Sequence, residues 1–132
     1  MVTDNAALPL AGLRVLVLED EMILAMDLSD MLSGFGCVPS IASRVPKALD
    51  MLVAQDFDAA VVDVNLAGVS VYPVADELMR RGIDLVIVTG YGEEGVLPHY
   101  RTAPIISKPY TRDDILQALL HLQRPVVQPS EP

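Results

Sequence analysis

Five short runs built mostly of Val, Leu, Ile and Ala, separated by stretches with helical spacing, constrain this chain more than any other feature. The runs are residues 13 to 19 (Leu-Arg-Val-Leu-Val-Leu-Glu), Val38 to Ala42, Ala59 to Asp63, Leu85 to Thr89 and Ile105 to Ser107. Ala59 to Asp63 is apolar until its terminal acid, which is the pattern of a strand buried on both faces. From Glu21 the spacing turns helical: Leu24, Leu28, Met31, Leu32 and Phe35 share a face, and Gly34 and Gly36 stop the helix. Ser43 is the expected N-cap of a second helix, with Pro46 in its first turn and an end near Ala54. Ser70 is expected to cap a third, reaching roughly Arg81. Thr111 is expected to cap a last helix carrying Ile115, Leu116, Leu119 and Leu122.

Strand followed by helix, five times over, calls for a parallel sheet with helices on both faces. Right-handed crossovers leave few topologies, and a doubly wound α/β fold with the flavodoxin-like order 2-1-3-4-5 is the expectation. One element does not conform. Gly90, Gly92, Gly95 and Pro98 cluster where the fourth helix belongs, which predicts a short or irregular segment.

The 132 residues suit a single domain, and 52% apolar content supports a folded core. No apolar run approaches a membrane span. Residues 1 to 9 lack the basic and apolar regions of a secretory signal, and the single Cys37 cannot form an internal disulfide. A cytoplasmic location is therefore expected. The net charge of −9, with no run of Lys or Arg, argues against direct nucleic-acid binding and against anionic membranes.

In sheets of this kind the functional crevice lies beyond the carboxyl ends of the strands. The first run ends in Glu19 and Asp20, the third in Asp63, the fourth in Thr89, and the fifth leads to Ser107 and Lys108. Three carboxylates and one lysine carry about −2 by simple counting. Such a cluster requires proton uptake or a cation, and an all-oxygen site suits Mg²⁺ or another divalent cation such as Mn²⁺. A carboxylate such as Asp63 can act as an oxygen nucleophile, and Lys108 with such a cation can place positive charge beside it, a pairing compatible with transfer of an anionic group.

Val-Leu-Val-Leu-Glu-Asp-Glu, Val-Val-Asp-Val-Asn-Leu, Val-Ile-Val-Thr-Gly and Ser-Lys-Pro-Tyr, in this order, resemble the four signatures of response-regulator receiver domains over about residues 11 to 122. The resemblance implies that Asp63 is the phosphoacceptor. It implies a metal site of Glu19, Asp20, Asp63 and the backbone carbonyl of Asn65, with Thr89 and Lys108 contacting the phosphoryl group. It implies a cis peptide before Pro109, a histidine kinase or histidine phosphotransfer protein as donor, and an unidentified downstream protein as target. The expected organisation is an N-terminal extension (1–10), the receiver (11–122) and a flexible tail (123–132), which makes a stand-alone signalling domain rather than an enzyme for other substrates. A phosphate sink or a docking-only receiver is the alternative.

Three positions depart from the family pattern. Ile105 stands where many receivers place a rotating Phe or Tyr; Tyr91 and Tyr110 are the candidates to replace it, with an amphipathic surface ring as the other reading of each. Ala67 stands where a proline is common. Many receivers dimerise through the face made by the fourth helix, the fifth strand and the fifth helix, and an irregular fourth helix argues against dimerisation there. Two other classes fit less well: an aspartyl phosphohydrolase usually has a second acid where Asn65 stands, and a flavin or nucleotide site lacks its glycine-rich loop after the first strand.

Overall fold

The computed structural model describes residues 10–66 and 68–122. The expected extension before residue 10, Ala67 and the expected tail after residue 122 lie outside the described residues, although Leu10 itself is buried. The strands are β1 (Arg14–Leu18), β2 (Val38–Ala42), β3 (Ala59–Asp63), β4 (Asp84–Thr89) and β5 (Ile105–Ser107). The helices are α1 (Met22–Gly34), α2 (Val45–Ala54), α3 (Tyr72–Arg80) and α4 (Arg112–Leu122). All neighbouring strands pair in parallel, in the order β2-β1-β3-β4-β5. This is the doubly wound arrangement expected from the alternation. Among the described residues no helix is long and apolar enough to cross a membrane.

Alternation along the strands explains why their sequences read as unbroken apolar runs. Leu16, Leu18, Ala60, Val62, Leu85 and Ile87 face Ala48 and Leu52 of α2 and Val74, Ala75 and Leu78 of α3. Val15, Val17, Ala59, Val61, Val86 and Val88 face Leu28 and Leu32 of α1 and Ile115 and Leu119 of α4. Successive residues thus enter different core layers, and neither face can tolerate a polar side chain. Polar groups are confined to the strand ends, which creates the site described below.

The helix termini follow local chemistry, with two corrections, at Ser43 and Ser70. Phe35 caps the C-terminus of α1, and Gly36 takes φ 94°, a left-handed conformation that glycine adopts without strain; the N–H of Cys37 donates to the carbonyl of Leu32. At α4, Thr111 Oγ1 accepts the Asp114 N–H at 3.1 Å while Asp114 Oδ2 accepts the Thr111 N–H at 2.9 Å, a reciprocal capping box. Ser43 is not the cap of α2. The helix begins at Val45 with Arg44 at the N-cap and no side-chain cap bond, because Pro46 already removes one of the donors a cap would satisfy. Ser70 lies one residue before the cap position of α3 and accepts the Tyr72 N–H at 3.2 Å.

In place of a regular fourth helix stand two single 3₁₀ turns, η1 (Gly92–Gly95) and η2 (Pro98–Tyr100). An aromatic clamp to α3 holds them. Tyr100 stacks on Tyr72 with ring centroids 4.4 Å apart, its hydroxyl donates to Asp76 Oδ1 at 2.5 Å, and the Leu97 N–H donates to the Tyr72 hydroxyl at 3.1 Å. Tyr100 is nearly buried, so its ring contributes apolar burial as well as the bond. Tyr100→Phe should lower stability in urea unfolding by about 1 kcal/mol through the lost hydroxyl bond. Tyr100→Ala should cost about 3 kcal/mol or more, and equal effects of the two would show that the stacked ring is not what anchors the turns.

Candidate functional site

Each strand end delivers its polar residue to one place. Glu19 directly follows β1, tied in by its own N–H to the Ala42 carbonyl, and is 3% exposed. Asp20, one residue on, is half-exposed. Asp63 closes β3 and is 3% exposed, with Oδ1 accepting the Asn65 N–H at 2.8 Å and Oδ2 accepting the Lys108 ammonium at 2.7 Å. Lys108 also lies 3.5 Å from Glu19 Oε1, so one ammonium serves two buried carboxylates. Its backbone N–H donates to the Thr89 carbonyl, and the Lys108–Pro109 peptide is cis. Carboxylate oxygens of Glu19, Asp20 and Asp63 come within 4.8 Å of one another.

The electrostatics match that crowding. Burial, reinforced by the charge of Asp63, lifts Glu19 to about 7, although the Glu21 N–H and Lys108 act the other way. Burial pulls the Lys108 ammonium down, but its hydrogen bond to Asp63 and the charges of Asp63 and Glu19 outweigh it and raise the lysine. The pocket therefore holds more negative charge than one lysine satisfies. Buried hard oxygen donors with surplus negative charge fit a divalent cation.

Thr89 closes β4 fully buried, and its hydroxyl accepts the Tyr91 N–H at 3.0 Å. Among the described residues it makes no bond to Asp63.

No family model matches the chain, and no curated protein is similar to it. Solved structures are. The solution structure of SdrG from Sphingomonas melonis Fr1 is 35% identical, with 84% of this chain and 96% of that one covered and a TM-score of 0.75. A BeF3-activated conformation of SdrG from Pseudomonas melonis Fr1 is 36% identical, covering 85% and 97%, with a TM-score of 0.73. The CheY-like response regulator receiver domain from Methylobacillus flagellatus (18% identity, 86% and 100% covered, TM-score 0.76) shares the fold. So does the response regulator TrrA from Thermotoga maritima in complex with Mg²⁺-BeF (21%, 83% and 98%, 0.74). The chain belongs to the response-regulator receiver domains.

Within this receiver the residues around the usual aromatic switch are rearranged. Ile105 is partly buried and packs on the same layer as Val96 and Tyr100. Tyr91 is 72% exposed, so its ring lies on the surface and only its backbone reaches Thr89. Tyr110 is half-buried against the α1 and α4 layer, and burial raises its phenol, with Glu19 adding to the shift. Sequence reasoning missed Tyr72 and Tyr100, the pair that anchors the turns next to Thr89. They are 28 positions apart, and neither has a local pattern; the missing fourth helix was the one hint that another anchor had to exist.

Glu19 generates a pH prediction. It holds its proton more tightly folded than unfolded, so its contribution to stability is complete below its ordinary value of 4.5 and is lost as pH rises through about 7. In the presence of a chelator, urea stability should fall between about pH 5 and about pH 8, and Glu19→Gln should flatten that decline. Parallel wild-type and Glu19→Gln profiles would contradict the burial of this carboxyl.

Proposed function

We propose that Asp63 accepts a phosphoryl group from a phosphohistidine on a histidine kinase or phosphotransfer protein, and that residues 11–122 signal the event by changing what they bind. The observation that carries this reading is the buried Asp63 carboxylate, 2.7 Å from Lys108 and grouped with Glu19 and Asp20. The similarity to SdrG, which has a BeF3-activated conformation, supports it, since beryllofluoride becomes tetrahedral on binding a carboxylate oxygen and then has the shape of a phosphoryl group.

In the transfer an oxygen of Asp63 attacks phosphorus in line. The new P–O bond forms as the P–N bond breaks, and the imidazole leaves with the bond's electron pair and takes up a proton. Asn65 orients the carboxylate through its N–H. Lys108, already beside Asp63, follows the charge onto the phosphoryl oxygens. Thr89 offers its hydroxyl hydrogen to another of those oxygens. Glu19, Asp20, Asp63 and the carbonyl of Asn65 would hold Mg²⁺, the ion named with the Thermotoga relative, and it supplies further positive charge at the transferring group. Glu19 must give up its proton before it can serve as a ligand. Asn65, standing where a hydrolase carries its second acid, cannot transfer a proton, so the acyl phosphate is a signal rather than a turnover intermediate.

Incubation with acetyl phosphate and Mg²⁺ tests the reading by intact mass. The protein should gain one phosphoryl group, and the gain should vanish in Asp63→Asn or with chelator. Lys108→Ala should slow labelling by about 10²-fold, the usual effect of removing one charge-stabilising contact. Wild-type protein that stays unlabelled, or that labels equally as Asp63→Asn, would sink the proposal.

A further inference from the structure

Thr89 is a β-branched residue with few side-chain rotamers, and its hydroxyl can accept two hydrogen bonds and donate one. The Tyr91 N–H occupies one acceptor position at 3.0 Å, and among the described residues no group accepts the hydroxyl hydrogen. Turn η1 folds back over this hydroxyl and packs on β4 and β5. A Cβ placed on Gly95 would stand 2.6 Å from Thr89 Oγ1 and 3.0 Å from Tyr91 Cβ. Both lie well inside the separation of about 3.5 Å at which non-bonded heavy atoms attract. Gly95 is not among the glycines with positive φ, so space rather than backbone conformation demands glycine there.

The following turn is fixed. Val96 and Tyr100 are buried, the Arg101 guanidinium donates to the Val96 carbonyl at 2.8 Å, and Leu97 is bonded to Tyr72. An atom added at Gly95 therefore cannot be absorbed by sliding the whole segment outward. The displacement must fall on the Thr89 hydroxyl or on residues 91–95, which carry the N–H that holds it.

We propose that Gly95 is a positioning residue for phosphoryl binding: its bare Cα lets η1 close on the Thr89 hydroxyl, which fixes the hydroxyl against Tyr91 and leaves its hydrogen directed at the acceptor site. The inference rests on the reading of Thr89 as a phosphoryl ligand. It assigns a role in the site to a segment that otherwise reads as a glycine-weakened helix. Gly95 touches no reacting atom and acts through Thr89 alone.

The test uses Mg²⁺ and beryllofluoride, with binding followed by fluorine NMR, on the wild type, Gly95→Ala, Thr89→Ala and the double variant. Gly95→Ala should weaken beryllofluoride binding by about tenfold or more, as expected for a misplaced ligand, while Mg²⁺ alone binds within about twofold of wild type. In the Thr89→Ala background Gly95→Ala should change neither. Melting temperatures read the contact without reference to phosphate: Gly95→Ala should lose about 5 °C in the wild type, and much less where Thr89 is already alanine. Should Gly95→Ala alone fail to fold, recovery of the Thr89→Ala melting temperature in the double variant decides for the contact. Unchanged beryllofluoride affinity in Gly95→Ala, an equal loss in both backgrounds, or a parallel loss of Mg²⁺ binding overturns the proposal. A wild type that ignores beryllofluoride overturns the phosphoacceptor reading itself, with the melting cycle still reporting on the contact.

Discussion

Two buried carboxylates share a single ammonium at one end of the sheet, with a third, half-exposed carboxylate grouped beside them, and much of the site's architecture serves to hold them there. At 4.8 Å and an effective dielectric near 20, two ionised carboxylates repel by about 3 kcal/mol, several times what an exposed ion pair gains. The fold tolerates the arrangement by three means. Glu19 is driven toward its protonated form, Lys108 is shared between Glu19 and Asp63, and the N–H groups of Glu21 and Asn65 each meet a carboxylate oxygen. None of these removes the surplus charge. A fold that stores unfavourable negative charge where its strands end is suited to a divalent cation.

The same constraint explains how much could be read from the sequence. Both faces of β1, β3 and β4 are buried, so each run stays apolar until the chain leaves the sheet, and the first polar residue marks the crevice. Glu19, Asp63 and Thr89 announce themselves by that abruptness. Lys108 could be placed because β5 is short and its end is close in sequence. The start of α2 was misread because a serine before a proline resembles a cap, whereas Pro46 leaves less for a cap to satisfy. The Tyr72–Tyr100 clamp and the seat of Gly95 on Thr89 join residues far apart or unpatterned, and no periodicity encodes a contact between a backbone turn and one buried hydroxyl. The depth of Glu19 is equally invisible, since Asp20 beside it is half-exposed and the two read alike.

The irregular segment after β4 is part of the site rather than a defect beside it. A regular helix would present a side chain toward the strand end, and the residues flanking Thr89 would then be separated from it by at least a Cβ. A 3₁₀ turn closing on glycine brings bare backbone to the hydroxyl instead. That closeness needs a rigid support on its far side, and the aromatic clamp to α3 provides one through Leu97 and Tyr100, while Arg101 holds the Val96 carbonyl.

Ile105 fits this arrangement. An aromatic switch at that position would need room to swing on the face where Val96 and Tyr100 are already buried, and a branched aliphatic chain fills the space beside them without moving. Tyr91, with its ring on the surface and its N–H on Thr89, is then the aromatic residue most directly tied to the hydroxyl. The coupling runs through a main-chain bond rather than a side-chain rotation. Under the function proposed above, a shift of the Thr89 hydroxyl toward a phosphorylated Asp63 would lengthen that bond or draw Tyr91 with it, and the event at the acceptor would reach an exposed ring in two steps: hydroxyl to backbone, and backbone to surface.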